Sequence, residues 1–80
     1  MAIYNYTVLF EAAEEGGYIA HVPALPGLWT QGDTLSEARE MAREAIAGYI
    51  EALIKSGEPI PPDKGPDEPL REVVEVALAV

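Results

Sequence analysis

In a chain of 80 residues, reactive chemistry would have to come from very few side chains. There is no cysteine, and His21 is the sole histidine. Nucleophilic catalysis needs a nucleophile, a base and a group that orients the base. Ser36 lies in a helix-capping sequence and Ser56 just before a helix stop, so structural roles account for both. His21 alternates with Ile19 on a short strand, as a sheet-surface residue, a partner contact or a general base would. One imidazole without an orienting acid rarely makes an active site. The carboxylates Glu11, Glu14, Glu15, Asp33, Glu72 and Glu75 could in principle build a divalent-metal nuclease centre. Glu14 and Glu15 fall in a loop and Asp33 directly precedes a helix. Only Glu11 with Glu72 or Glu75 could meet across neighbouring strands, and the sequence leaves their register open. A solvated acidic surface is the simpler account. The glycines at 16, 17, 27 and 32 are not followed by the Lys-Ser/Thr of a phosphate loop and suit turns instead. The expectation is a protein that is not an enzyme and uses no cofactor or metal.

Binding is better supported than catalysis. Fourteen acidic residues against five basic ones give a formal net charge of −9. The basic residues Arg39, Arg43, Lys55, Lys64 and Arg71 are scattered, whereas nucleic-acid binding relies on clustered cations that neutralise phosphates. Direct nucleic-acid contact is therefore not expected. A basic protein partner suits this charge, although acidity also serves simply to keep a small protein in solution. Tyr18 and Trp29 are the candidate partner-contacting anchors, being large side chains near strand ends. Each could equally be a core residue.

The elements that must position these groups follow from periodicity. Residues 3–11 alternate, with Tyr4, Tyr6, Val8 and Phe10 on one face and Ile3, Asn5, Thr7, Leu9 and Glu11 on the other. The uniformly apolar set is expected to face the core. Gly16-Gly17 can turn the chain into a second strand over 18–22, and Pro23-Ala24-Leu25-Pro26-Gly27 breaks regular structure before a third over 28–32. Thr34-Leu35-Ser36-Glu37 has capping-box spacing. A helix over 35–56 follows, with Leu35, Ala38, Met41, Ala42, Ala45, Ile46, Tyr49, Ile50, Leu53 and Ile54 recurring at helical intervals up to the stop at Gly57. Gly48, costly inside a helix, could permit close packing on the sheet. Five prolines within 58–69 mark an extended connector. The last strand, over 71–79, is apolar on both faces except at Glu72 and Glu75, as if buried on both sides or covered by a partner. The order β-β-β-α-β predicts an α+β unit, one helix on a four-stranded mixed sheet whose last strand runs parallel to the first.

So short a chain makes one domain, buries little surface and has neither disulfides nor a metal cluster to staple it, which favours a homodimer or higher homo-oligomer. There is no apolar run long enough to span a membrane and no signal-like N-terminus, so the expected location is cytoplasmic.

The linear pattern then carries more than any single residue. Tyr6-Thr7-Val8-Leu9-Phe10-Glu11, Gly17-Tyr18-Ile19-Ala20, Val22-Pro23-Ala24-Leu25-Pro26-Gly27, Thr30-Gln31-Gly32-Asp33-Thr34, Glu37-Ala38, Ala42 with Glu44-Ala45-Ile46, and Gly57-Glu58-Pro59-Ile60-Pro61-Pro62 follow in unbroken order. Across roughly residues 4–63 the series resembles HicB-like antitoxins of type II toxin–antitoxin systems. Pro23, Pro26, Gly27, Gly32, Asp33, Thr34, Glu37 and Ala38 carry the most specific part of that resemblance. It implies a partial ribonuclease-H-like unit with the last strand beside the first. It also implies a non-catalytic inhibitor that covers the active site of a small basic HicA-type toxin, an RNase with a fold like that of double-stranded-RNA-binding domains. Many family members continue into a DNA-binding domain. This chain ends after the fourth strand, so the expected form is a minimal one, 1–80, that does not repress its own operon unaided. The alternatives are a stand-alone homo-oligomeric regulatory or scaffold protein with another partner, and the residual metal-dependent nuclease.

Overall fold

The first strand, β1 (Ala2–Ala12), is long enough to serve two neighbours at once. Its outer half, Leu9 to Ala12, pairs antiparallel with β2 (Tyr18–His21), and its inner half, Ala2 to Leu9, pairs with β4 (Arg71–Leu78). β3 (Trp29–Gly32) pairs antiparallel with β2, so the sheet order is β3-β2-β1-β4. The helix α1 (Leu35–Ser56) lies between β3 and β4 in sequence. A computed structural model describes residues 2–63 and 71–78. The expected connector beyond residue 63 and the end of the last strand at residue 79 lie outside the described residues.

The sheet is antiparallel throughout, which corrects the mixed sheet predicted from the sequence. The last strand does lie beside the first, but it pairs Leu9 with Arg71 at its start and Ala2 with Leu78 at its end. The reason is the connector. Its residues Ile60 and Pro61 lie against Tyr4 and Tyr6, and Asp63 has reached Thr7. The chain thus travels along β1 towards Leu9 before β4 begins, and β4 must run back.

Two buried anchors hold this segment. The Tyr6 hydroxyl donates to the Pro61 carbonyl. Burial, reinforced by neighbouring Tyr4 and Asp63, pushes the Tyr6 pKa up from its ordinary value, so the donor proton is retained well into alkaline conditions. The Thr7 backbone N–H and hydroxyl each donate to the Asp63 carboxylate at 2.8 Å. Thr7 is 1% exposed, so Asp63 satisfies polar groups that water does not reach. Asp63→Ala is expected to cost about 1.5–3 kcal/mol, with Asp63→Asn recovering part of it, as read by urea midpoints. Equal midpoints for Asp63→Ala and the parent would show that the connector does not brace β1.

The helix is capped as its spacing predicts. The Glu37 N–H donates to Thr34 Oγ1 at 3.0 Å, and the Asp33 N–H donates to Glu37 Oε1 at 2.9 Å. At the other end Gly57 takes a left-handed φ of 68° and its N–H donates to Ile54 O. The buried stripe is narrower than expected: Ala38, Ala42, Ile46 and Ile50 form one i, i+4 row, while Met41 and Ile54 are exposed. The small residues come first because the helix begins in direct contact with β3. A Cβ on Gly32 would lie 2.4 Å from Ala38 N. The helix row meets Tyr6, Val8, Phe10, Ala20, Val74, Val76 and Leu78 in one core.

Gly48 does not pack against the sheet, contrary to the sequence expectation. A Cβ there would meet nothing within 4 Å. Gly48→Ala is therefore expected to stabilise the protein by up to about 1 kcal/mol through helix propensity alone. A thermal midpoint that falls would contradict this.

Candidate partner-binding face

With α1 covering one side, the alternation of the strands assigns the other side of the sheet to Ile3, Asn5, Thr7, Leu9 and Glu11 of β1, Ile19 and His21 of β2, Trp29 and Gln31 of β3, and Val73, Glu75 and Ala77 of β4. Of the large apolar residues that stand exposed, Ile3 (55%), Trp29 (60%) and Val73 (55%) belong to this face. Among the described residues the others, Met41 and Ile54, are on the helix.

Register brings the aromatic centre of the face together. His21 pairs with Trp29 on one side and with Leu9 on the other, giving the row Leu9–His21–Trp29 across three strands. The His21 and Trp29 rings stack with centroids 4.0 Å apart and planes 9° from parallel. Stacking restrains a side chain that would otherwise swing freely in water, so Trp29 stands as a partly pre-ordered apolar surface. Glu11 and Glu75 lie towards opposite ends of the face.

Tyr18 is placed elsewhere. It pairs with Ala12 and Gly32, is half-buried and packs against the core on the helix side. It also lines a shallow cleft with Glu15, Gln31, Asp33 and Glu37. Tyr18 and Trp29 thus lie on opposite sides of the sheet.

The carboxylates do not converge. Glu75 pairs with Asn5, six residues along β1 from Glu11, or about 20 Å. Glu72 pairs with Val8 and so occupies the alternate parity. Glu14 and Glu15 sit in the β1–β2 turn, held by Ala13–Gly17 and Gly16–Ala13 backbone bonds. Among the described residues there is no group of three or more His, Asp or Glu placed to hold a metal ion.

The proline motif is architectural. Gly27 has a φ of 82°, and Val22, Leu25 and Leu28 are linked by successive backbone hydrogen bonds that close the loop. Ala24, Leu25 and Leu28 are buried beneath it, and the Tyr49 hydroxyl donates to Pro26 O at 3.0 Å. The loop is thereby tied to the helix, and it ends at Leu28, immediately before Trp29. Asp33, Thr34 and Glu37 form the helix cap, and Gly32 with Ala38 forms the close strand–helix approach. The residues most specific to the linear pattern therefore shape the loop that leads into Trp29 and the start of α1.

The sequence alone does not single out Ile3 and Val73 as exposed apolar residues of the open face. Their signal is nonetheless present: Ile3 and Leu9 are apolar on the strand face opposite the core, and Val73 lies in a strand apolar on both faces. The His21–Trp29 stack depends on a register that no local pattern specifies.

Residues 6–75 match the family model described as HicB_like antitoxin of bacterial toxin–antitoxin system. The UPF0150 protein ssr1765 of Synechocystis is 52% identical over 59 residues, covering 74% of this chain and 75% of that protein. Antitoxin HicB 1 of Photorhabdus laumondii is 44% identical over 57 residues, which are 71% of this chain but 37% of that protein. Among solved structures, the N-terminal domain of Burkholderia pseudomallei antitoxin HicB matches with a TM-score of 0.74 at 26% identity, covering 92% of this chain and 99% of that one. A chain of a HicA3 and HicB3 toxin–antitoxin complex matches with a TM-score of 0.60 at 28% identity, covering 99% of this chain and 100% of that one. Among the described residues no helix is long and apolar enough to cross a membrane.

Proposed function

We propose that this chain, which belongs to the HicB-like antitoxin family of bacterial toxin–antitoxin systems, inhibits a small basic RNA-cleaving toxin of the HicA type by covering it with the open face of the sheet. The observation that carries the reading is the concentration of exposed Trp29, Ile3 and Val73 on that one face. Interfaces draw most of their energy from a few aromatic anchors, and Trp29 has the required size, exposure and restraint. A net charge of −9 supports rapid, salt-sensitive association with a basic partner. The likeness to a chain from a HicA3 and HicB3 complex supports the choice of partner class. In this reading the protein works in the cytoplasm as a binding module rather than as an enzyme, and it self-associates.

The test is co-expression with the product of the neighbouring small gene, followed by RNA cleavage by that product with and without this chain. A stable complex with suppressed cleavage is expected. Free toxin activity at saturating concentrations of this chain would overturn the proposal.

A further inference from the structure

β1 has an open edge inside the sheet. Its pairing with β2 ends at Leu9–His21, whereas its pairing with β4 continues down to Ala2–Leu78. Among the described residues, the stretch below Leu9 is therefore paired on one side only. The reason lies in β2: carried on in register, Pro23 would fall opposite Thr7, where it has no N–H to give. The chain turns away at Pro23 and leaves the lower half of β1 without a second neighbour.

The backbone groups on this edge can be identified. The Thr7 N–H donates to Asp63 Oδ1 and so points away from β4. Alternation gives Asn5 and Ile3 the same direction, so each turns an N–H and a C=O towards the gap. Asp63 occupies the Thr7 position of the edge, and among the described residues no backbone group takes those of Ile3 or Asn5. Beside them lies a cleft of about 340 Å³, walled by Ile3, Tyr4 and Asn5 on one side and Ile60, Pro61 and Pro62 on the other.

We infer that this cleft takes a short, extended, basic peptide segment of a protein partner, added beside residues 3–5 as an extra strand. Unpaired main-chain donors and acceptors at alternate residues are matched by another main chain. The occupant is a single segment because the edge of a folded sheet would bring its own neighbours against Ile60 and Pro61. A peptide residue opposite Tyr4 shares its face, where Tyr4 and Ile60 both pack on the core, so an apolar side chain fits there. Basic residues suit the flanking positions: Asp63 closes one end, no cationic residue is among the described lining residues, and the chain carries a net charge of −9. This contact is separate from Trp29 and does not depend on which surface covers a toxin.

The probe is the capped peptide Thr-Lys-Val-Lys-Thr, titrated into the isotope-labelled full chain and followed by backbone amide NMR. Saturable shifts are expected at the Ile3 and Asn5 amides, with Trp29 unmoved. With the valine opposite Tyr4, the lysine N–H groups point at β1 and the valine N–H points away. N-methylation of either lysine is therefore expected to weaken binding about tenfold or more, while N-methylation of the valine leaves it unchanged. Replacing both lysines by glutamate is expected to abolish the shifts. Asn5→Pro removes an N–H that the β4 ladder does not use, and the expected result is an unchanged circular dichroism spectrum with binding lost. The methylated peptides carry the test even where Asn5→Pro disturbs the fold. Absence of saturable shifts at Ile3 and Asn5 at millimolar peptide would overturn the proposal. So would equal affinity for the lysine-methylated peptides, and equal binding of the glutamate peptide would overturn the basic character of the occupant.

Discussion

Gly32→Ala is expected to lower the thermal midpoint by about 12–24 °C, corresponding to roughly 3 kcal/mol in a domain of this size. The cost is steric. The added Cβ would lie 2.4 Å from Ala38 N, 2.8 Å from Ala38 Cα and 2.8 Å from the Glu37 carbonyl carbon. All three are backbone atoms of the first helical turn, so no rotamer change relieves the clash. Either α1 tilts off β3 or β3 shifts in its ladder with β2. Tilting the helix would disturb the cap, where the Glu37 carboxylate accepts from the Asp33 N–H and the Glu37 N–H donates to Thr34 Oγ1. Shifting β3 would disturb Gly17, whose own Cβ position lies 2.6 Å from Gly32 O. Total stability for a chain of this length is about 4–12 kcal/mol, so the loss is a large share of it. The measurement is thermal denaturation by circular dichroism beside Gly48→Ala. The same chemical change is expected to act in opposite directions at the two helix-associated glycines. A midpoint within a few degrees of the parent for Gly32→Ala would show that the strand–helix approach is not as close as the structure places it.

That contrast also shows what the sequence can and cannot reveal. Both glycines attract attention as glycines, and Gly48 looks the better packing candidate because it sits mid-helix. Helical phase decides otherwise: the buried row is 38–42–46–50, and position 48 falls outside it. The strand faces, the cap at Thr34 and Glu37 and the stop at Gly57 are legible because each is fixed by neighbours within four residues. The direction of β4 is not local. It depends on where the connector travels, and the bonds that set it, Tyr6 to Pro61 and Thr7 to Asp63, join residues more than fifty positions apart. Nothing in the alternation of β4 distinguishes entry at Leu9 from entry at Ala2. The stacking of His21 on Trp29 is hidden for a similar reason, since the loop between them must close at a particular length to set the register.

Faces also separate the two aromatic anchors that the sequence offers on equal terms, and this gives the second large effect. Trp29→Ala is expected to weaken toxin inhibition by about 30- to 1000-fold, the consequence of removing an anchor worth ~2–4 kcal/mol at a protein interface. The fold should be nearly indifferent. Trp29 is 60% exposed, and its main interaction within the chain is the stack on His21, worth at most about 1.5 kcal/mol. Tyr18→Ala should behave in the opposite manner, because Tyr18 packs against the core from the helix side and its removal leaves a gap beside Gly32. Its expected signature is a lower thermal midpoint with inhibition intact wherever the protein remains folded. Titrating each variant against a fixed amount of the toxin, with cleavage of a labelled RNA as the readout and denaturation run in parallel, separates the two roles. If Trp29→Ala inhibits at the parent's concentrations, the open face is not the toxin-covering surface. If Tyr18→Ala alone loses inhibition while keeping its stability, the contact surface lies instead around the cleft that Tyr18 shares with Asp33 and Glu37.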